Sequence, residues 1–245
     1  MISAIRTLAA ALFTVVFTAS GALVGFPVTW ITGSADLLYA IAMWIARNGL
    51  RIVGVSVKTA GLDRLDPNGT FIFMCNHVSN LDPPILIPAL PRRTSVLVKK
   101  ELFRVPILGR AMILGDLVPV DRRNRDAAVN SMRDAEQVMA KGLNMTVFPE
   151  GTRSSDGRLL PFKKGPFYLA MDSDIPVVPV TILGSERLMP KGSVTINSGT
   201  VQLIFHSPIS PHQFAEKEQL IAAVRAEIAS ALPSALREAD ADSPA

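Results

Sequence analysis

The chain has 245 residues, enough for one sizeable domain with a full hydrophobic core, and 49% of them are hydrophobic. Its single cysteine excludes an intramolecular disulfide and a cysteine-rich metal site. The net charge is only +4, and the three histidines are far apart without ligand-like neighbours, so we expect no bound metal.

The hydrophobic excess is concentrated at the N-terminus, where no charged residue occurs between Arg6 and Asp36. A run of this length is able to enter or cross a bilayer, because about 20 apolar residues suffice. Pro27 and Gly33 are potential breaks, so a single span and a helical hairpin in one leaflet both fit the sequence. A cleaved signal peptide fits less well, because the run outlasts a normal signal core. We therefore expect residues 1–50 to anchor the protein to membrane lipids, at the cytoplasmic face of a cell membrane.

Beyond the anchor, short apolar segments rich in β-branched residues alternate with segments of helical periodicity. A first helix at Asp36–Leu50 is expected to dock the anchor onto the body. The predicted strands are Ile52–Val57, Thr70–Cys75, Thr94–Val98, Leu117–Val120, Met145–Phe148 and Val177–Leu183. The predicted helices between them are Pro83–Ala89, Pro106–Leu114, Arg125–Lys141 and Pro166–Met171. This alternation predicts an α/β fold with a mostly parallel central sheet flanked by helices.

The C-terminal part of the chain departs from this alternation. The stretch Val194–Phe205 has Asn197, Ser198 and Gly199 at its middle, which predicts a β-hairpin. Lys217–Leu236 has apolar residues at helical spacing and predicts an amphipathic helix. Residues 238–245 are rich in Ala, Asp, Ser and Pro and are expected to form a disordered tail.

Positive residues cluster in the middle of the chain. The cluster comprises Arg92, Arg93, Lys99, Lys100, Arg104, Arg110, Arg122, Arg123 and Arg125. Such clustering favours anionic lipid headgroups or a phosphate-bearing ligand over a uniformly solvated surface. Nucleic acid is not expected as a partner, because few aromatic residues are interleaved and no nucleic-acid-binding motif is present.

A first candidate motif, Asn-His-Val-Ser-Asn-Leu-Asp, follows the predicted strand that ends at Cys75. A strand end places the imidazole of His77 at the rim of the sheet, where open α/β sheets bind ligands. Asp82 precedes Pro83 and Pro84, which is typical of a helix start. If the Asp82 carboxylate turns back onto His77, it fixes the tautomer and leaves the other ring nitrogen able to accept a proton. A structural histidine beside a helix cap is the alternative.

A second motif, Phe-Pro-Glu-Gly-Thr-Arg-Ser, follows the predicted strand that ends at Phe148. It presents an acid, a flexible glycine, a hydroxyl and an arginine at a strand end. Arginine suits bidentate phosphate binding, and glycine lets a backbone approach a ligand closely. The alternative is a polar turn in which Glu150 and Arg153 form an ion pair with each other.

Together, Asn-His-x4-Asp at 76–82 and Phe-Pro-Glu-Gly-Thr-Arg at 148–153 resemble the glycerolipid acyltransferase family, typified by 1-acylglycerol-3-phosphate acyltransferases. Two further blocks occur in the expected order. One begins Lys99-Lys100-Glu101-Leu102 and ends at Asp121-Arg122, and the other is Ile175–Val180. The resemblance covers roughly residues 50–210 and implies an acyltransferase domain at 51–237.

The resemblance implies acyl transfer from acyl-CoA or acyl carrier protein to the free hydroxyl of 1-acylglycerol-3-phosphate, which gives phosphatidic acid. It implies that His77 is the general base and that Asp82 orients it. The acceptor-binding residues that it implies are Glu150, Gly151, Thr152, Arg153, Lys99, Lys100 and Arg122. One sequence does not decide whether Lys99 or Lys100 faces the site. No cofactor or metal is implied, and Ile175–Val180 is expected to be a buried strand that shapes the acyl pocket.

Several alternatives stay open at this point. Cys75 lies two residues before His77 and on the same strand face, so a covalent Cys-His route is conceivable, although most free cysteines are small buried hydrophobes. Lys163 and Lys164 either contact the substrate or form a solvated basic turn. The acceptor is either 1-acylglycerol-3-phosphate or another lysolipid, such as a lyso-ornithine lipid or lysophosphatidylglycerol. A non-catalytic membrane lipid-binding module is the alternative outside enzymes. His206 and His212 are expected to be structural.

Overall fold

The structure is a computed structural model that describes residues 1–121 and 125–237, apart from the side chains of 125–129. Arg122, one of the expected acceptor-binding residues, lies outside the described residues. The expected disordered tail at 238–245 lies outside them as well.

Within the described residues, seven strands form one sheet in the order β1-β7-β6-β2-β5-β3-β4. They are β1 (Val55–Ala60), β2 (Ile72–Cys75), β3 (Thr94–Lys99), β4 (Val118–Val120), β5 (Asn144–Val147), β6 (Val177–Leu183) and β7 (Gly199–Phe205). Every neighbouring pair is parallel except β6–β7, which is antiparallel. The prediction of a mostly parallel central sheet is confirmed.

Helices cover both faces of the sheet. They are α1 (Ile2–Thr32), α2 (Asp36–Val53), α3 (Asp82–Leu86), α4 (Leu108–Leu114), α5 (Arg125–Ala140), α6 (Gly165–Ser173), α7 (Ser185–Leu188) and α8 (Lys217–Ser230). Because side chains alternate along a strand, β2 contributes to two separate cores. Phe73 and Cys75 join the core beneath α1, α2 and α3, whereas Ile72 and Met74 join the core beneath α5, α6 and α8.

The N-terminal segment is a helical hairpin in which α1 packs along α2. Small residues allow this close approach: a Cβ added to Gly25 would lie 2.9 Å from Leu38 Cδ1. Pro27 is accommodated inside α1, whereas Gly33 ends the helix in the left-handed conformation with φ of 69°. Among the described helices, α1 alone is both long and apolar enough to cross a membrane. Most of its large hydrophobic side chains are exposed.

The first turns of α1 also belong to the packed body of the protein. Ala10 joins the same core as Val53 and Phe205. The hydroxyl of Thr7 accepts a hydrogen bond from the backbone N–H of Ile196 at 2.9 Å. The expected boundary at residue 50 falls inside α2, which continues to Val53.

Two predicted elements differ from the structure. The hairpin at 194–205 is wrong, because β7 begins only at Gly199 and its neighbours are β1 and β6. The N–H of Gly199 donates to the carbonyl of Gly54 at 3.1 Å, which starts the parallel pairing with β1. The predicted helix at 217–236 stops at Ser230, and a separate 3₁₀ turn follows Pro233.

Candidate functional site

The two motifs and the basic pair meet at one edge of the sheet. The motif at 76–82 follows β2, and the motif at 148–154 follows β5. Lys99 is the last residue of β3, and Lys100 comes directly after it. Because β2, β5, β3 and β4 are mutually parallel neighbours, their carboxyl ends lie side by side. Open α/β sheets bind ligands at this edge.

The centre of this edge is the pair His77 and Asp82. Nδ1 of His77 lies 2.8 Å from Oδ2 of Asp82, whose carboxylate is fully buried. The same oxygen accepts the backbone N–H groups of Val78 and Ser79, each at 2.8 Å. Although Asp82 begins α3, its carboxylate therefore turns back onto the preceding loop instead of capping the helix. A carboxylate accepts only, so Nδ1 carries the hydrogen and Nε2 is left as the proton acceptor.

The second oxygen of Asp82 has a partner from a distant part of the sequence. Oδ1 accepts the hydroxyl hydrogen of Ser185 at 2.6 Å, and Ser185 is fully buried at the start of α7. The sequence reasoning missed this residue. The available signal was its position directly after β6, which runs parallel to β2 and therefore ends at the same edge.

The loop after β5 holds the His77 ring from the other side. The ring of Phe148 stacks on the imidazole with a centroid distance of 4.2 Å and an interplanar angle of 27°. The carbonyl of His77 accepts the N–H of Ser154 at 2.8 Å. Only 12% of the His77 side chain is exposed. These contacts fix the two motifs to each other.

Glu150 is turned into the protein and is only 1% exposed. One oxygen accepts the backbone N–H of His77 at 2.7 Å, and the other accepts the N–H of Leu160 at 3.0 Å. Burial raises the pKa of this carboxyl to about 8, although both N–H groups act in the opposite direction. Both oxygens of Glu150 are therefore engaged within the protein, and its expected contact with the acceptor stays a prediction.

Arg225 on α8 extends this support and was also missed from the sequence. Its guanidinium donates to the carbonyls of Leu160 at 2.7 Å and Leu159 at 3.0 Å. The same guanidinium lies over the ring of Phe162 at 5.5 Å. A chain of contacts thus leads from α8 through Leu160 and Glu150 to the backbone of His77.

Arg153 lies on the loop that contacts His77 and is partly exposed. Across residues 1–121 and 125–237 the structure gives its guanidinium no hydrogen bond or ion pair, and the alternative pairing with Glu150 does not form. Gly151 adopts φ of 71°, a conformation that favours glycine, and Thr152 beside it is partly exposed. A Cβ at Gly151 would lie 3.3 Å from Cγ of Lys163, so Lys163 runs alongside this loop.

The two lysines at the end of β3 differ in their surroundings. Lys100 forms an ion pair with Asp121, which follows β4. Lys99 is more exposed, at 56% of its side chain, and its ammonium is 3.8 Å from Glu101. The carboxylate of Asp121 therefore holds Lys100, whereas the ammonium of Lys99 is only loosely paired.

Cys75 is a component of the core. It is fully buried next to Phe73, and burial, followed by the charge of Asp82, raises the pKa of its thiol well above the usual value. A nucleophilic cysteine needs an accessible thiolate, and this environment opposes one. The structure therefore favours the interpretation of Cys75 as a small buried hydrophobe.

The other two histidines and Lys164 each have a partner within the protein. His206 lies between Thr181 at 2.9 Å and Glu227 at 3.1 Å, and His212 is 3.4 Å from Asp174. Lys164 pairs with Glu218 at 3.1 Å. In the described part of the chain, no group of three or more His, Cys, Asp or Glu residues is arranged to hold a metal ion.

A cavity of about 720 Å³ lies between the helical hairpin and the body. Its walls are mostly apolar and come from α1, α2, α4 and β3, and they include Leu81 and Pro84. These two residues flank Asp82 at the start of α3. The expectation that Ile175–Val180 is a buried strand agrees with β6, where Val178 and Val180 are fully buried in the core. These two residues do not line this cavity, and the role of the segment in shaping an acyl pocket stays a prediction.

Comparisons with known proteins point to one family. Residues 56–183, just over half of the chain, match the family model described as Acyltransferase. The chain is 33% identical over 177 residues to the 1-acyl-sn-glycerol-3-phosphate acyltransferase of Cocos nucifera, covering 72% of this chain and 54% of that protein. It is 30% identical over 159 residues to the human 1-acyl-sn-glycerol-3-phosphate acyltransferase alpha, covering 64% and 56%. The chain thus spans about half the length of these curated relatives.

A solved structure matches over almost its whole length. The crystal structure of the 1-acyl-sn-glycerophosphate acyltransferase PlsC from Thermotoga maritima superimposes with a TM-score of 0.74 at 27% identity. The match covers 92% of this chain and 94% of that chain, so the similarity includes the N-terminal hairpin as well as the sheet.

Proposed function

The chain belongs to the acyltransferase family, and we propose that it transfers an acyl group from a thioester to the free hydroxyl of 1-acylglycerol-3-phosphate, giving phosphatidic acid. The donor is acyl-CoA or acyl carrier protein. The observation that carries the proposal is the contact of 2.8 Å between His77 and a buried Asp82. Arg153 lies on the same sheet edge and has no side-chain partner within the described part of the chain.

In the proposed reaction, His77 acts as the general base. With Nδ1 held by Asp82, Nε2 removes the proton from the acceptor's hydroxyl while the hydroxyl oxygen attacks the thioester carbonyl. The carbon–sulfur bond then breaks, and the imidazolium returns the proton to the departing thiolate. General base catalysis of this kind contributes about 100- to 10,000-fold. The proton balance closes without a cofactor or metal.

The acceptor's phosphate is bound by the positive groups around His77. Arg153 is the first candidate, because its guanidinium has no partner among the described residues and its loop contacts His77 through Ser154. A guanidinium forms two parallel hydrogen bonds to a phosphate. Of the two lysines, Lys99 suits a phosphate contact better, since Lys100 is paired with Asp121. Gly151 and Thr152 complete the loop, whereas we assign Glu150 to holding the two loops together.

The apolar cavity fits an aliphatic chain beside the dyad. Its volume of about 720 Å³ and apolar walls match a fatty acyl group, and its lining includes Leu81 and Pro84, which flank Asp82 in the sequence. Residues 1–50 attach the protein to the bilayer through the exposed apolar side chains of α1. We place the site at the cytoplasmic face, where soluble thioester donors are available.

A thiol-release assay tests the proposal. The purified protein in mixed micelles is given a long-chain acyl-CoA, or the same acyl group on carrier protein, with one of four acceptors. These are 1-acylglycerol-3-phosphate, 1-acylglycerol, lysophosphatidylglycerol and a lyso-ornithine lipid. We expect the highest kcat/KM with 1-acylglycerol-3-phosphate and a large loss when the phosphate is absent. A faster reaction with another lysolipid would reassign the acceptor, and no thiol release with any acceptor would indicate a lipid-binding module.

A further inference from the structure

The two oxygens of the buried Asp82 carboxylate are held in different ways. Oδ2 accepts His77 Nδ1–H and the N–H groups of Val78 and Ser79. Among residues 1–121 and 125–237, Oδ1 accepts only the hydroxyl of Ser185, at 2.6 Å. Asp82 and Ser185 are both fully buried, so water does not replace this donor. An oxygen of a buried carboxylate needs hydrogen-bond donors to offset its lost hydration.

The fold brings Ser185 to this place through β6. Asn76, directly before His77, clamps Ile182 near the end of β6: its side chain accepts the N–H of Ile182 at 2.7 Å and donates to its carbonyl at 3.0 Å. Gly184, with φ of 97°, then turns the chain so that α7 begins at Ser185. The position of the hydroxyl therefore depends on Asn76, the residue directly before His77.

Ser185 is on the far side of Asp82 from the imidazole, and its arrangement does not suit a nucleophile. Its hydroxyl donates to the carboxylate and has no access to a thioester carbonyl, because the residue is fully buried. A nucleophilic serine instead contacts the base itself.

We propose that Ser185 is a positioning residue of the His77–Asp82 pair: its hydroxyl holds Asp82 with Oδ2 toward His77 and stabilises the carboxylate in its ionised state. This inference rests on the proposed function. The pair carries one negative charge when His77 is neutral, and it loses that charge when it takes up a proton. A hydrogen bond to the ionised carboxylate lowers the proton affinity of the pair as a whole. The other titratable groups that face the pair are Glu150, which accepts the N–H of His77, and the buried thiol of Cys75 beside Asp82. Both are the same in the variant, so without the hydroxyl the pair should take up its proton at a higher pH.

The test is the pH dependence of acyl transfer by Ser185→Ala, with a long-chain acyl-CoA and 1-acylglycerol-3-phosphate. We expect the acidic limb of the plot of kcat against pH to shift to higher pH by about one unit. The kcat at neutral pH should fall about 10- to 100-fold, the scale of one hydrogen bond to a charged group, with little change in either KM. Ser185→Cys keeps the size of the side chain with a weaker donor and should shift the limb less. The matched control is Ser95→Ala, which removes another fully buried hydroxyl with a 2.6 Å bond, made to the carbonyl of Asp116.

A second readout needs no substrate. The chain has only three histidines, so the imidazole NMR signals of His77 are assigned by their loss in His77→Gln. These signals are then followed as a function of pH. In Ser185→Ala the midpoint of their titration should shift to higher pH, as the acidic limb of kcat does. If Ser185 is purely structural, Ser185→Ala should lower the melting temperature and leave both midpoints at their wild-type pH. That result would overturn the inference. If His77→Gln itself keeps wild-type activity, the proposed function fails and the inference falls with it.

Discussion

The raised pKa of Glu150 predicts how the stability of the protein depends on pH. Burial raises its pKa from 4.5 to about 8, so the folded protein binds this proton more tightly than the unfolded chain does. The stabilising contribution is fully present below pH 4.5, the ordinary value for this carboxyl, and is lost as the pH rises through about 8. Within this window the free energy of unfolding should fall by about 1.4 kcal/mol per pH unit on account of Glu150 alone.

Glu150→Gln removes this titration but keeps the shape of the side chain. Its carbonyl oxygen still accepts one of the two N–H groups, from His77 or Leu160, but its NH₂ group faces the other. Leaving one buried N–H without an acceptor costs about 1–3 kcal/mol. The variant should therefore be less stable than the wild type at pH 5, and the difference should close as the pH approaches 8.

The assay is thermal unfolding in detergent micelles at a series of pH values from 5 to 8. For a chain of this size, the difference in melting temperature between wild type and Glu150→Gln should change by roughly 3–6 °C per pH unit. Glu218→Gln is the matched control, because Glu218 is an exposed glutamate whose pKa is lowered, chiefly by the hydrogen bond from Lys164. Its melting curves should run parallel to those of the wild type. Parallel curves for Glu150→Gln would refute the argument that burial governs this carboxyl.

Three further predictions concern the thiol, the phosphate and the membrane. Cys75→Ala should keep substantial activity, because the thiol is buried and its pKa is raised. Rapid quenching of the wild type with a labelled donor should trap no acyl-enzyme. A labelled adduct on Cys75 would replace direct transfer by a two-step route. Arg153→Lys should raise the KM for the lysolipid by about 10- to 150-fold and leave the KM for the thioester unchanged. The control, Arg158→Lys on the same loop, should change neither KM. Equal effects of Arg153→Lys on both substrates would show that Arg153 is structural. Leu12→Glu, at an exposed position of α1, should lower binding to vesicles more than tenfold. The control, Tyr168→Glu on the opposite face of the sheet, should not. Equal effects of the two substitutions would argue against α1 as the anchor.

Local sequence patterns predicted those parts of the fold whose signals are local. The buried strands of a parallel sheet are short apolar runs, so their positions and the strand end at Cys75 followed from the sequence. The end predicted at Phe148 lies one residue beyond the observed end of β5 at Val147. The approach of Asp82 to His77 followed as well, because the loop between them is short. The end of α8 was predicted too far along the chain, at Leu236 instead of Ser230, although Pro233 disfavours helix in the residue before it.

What the sequence did not predict depends on contacts between distant segments. The Asn-Ser-Gly sequence at 197–199 resembles a hairpin turn, but β7 pairs with β1, about 140 residues away, and that pairing has no local signal. Ser185 reaches Asp82 across 103 positions, through the register of β6 on β2. Glu150 points inward because two N–H groups from different loops converge on it. Its charge alone suggested a ligand contact.

The central claim is that His77 removes the proton from the acceptor's hydroxyl, with Asp82 holding its tautomer. The most direct measurement is the kcat for acyl transfer to 1-acylglycerol-3-phosphate by wild type, His77→Ala and Asp82→Asn, each checked for unchanged melting temperature and vesicle binding. Loss of a general base costs about 100- to 10,000-fold, so His77→Ala should fall at least 100-fold. Asp82→Asn should lose most of its activity, because an amide in place of the carboxylate favours the wrong tautomer. A His77→Ala enzyme that folds, binds vesicles and turns over within tenfold of the wild type would contradict the account.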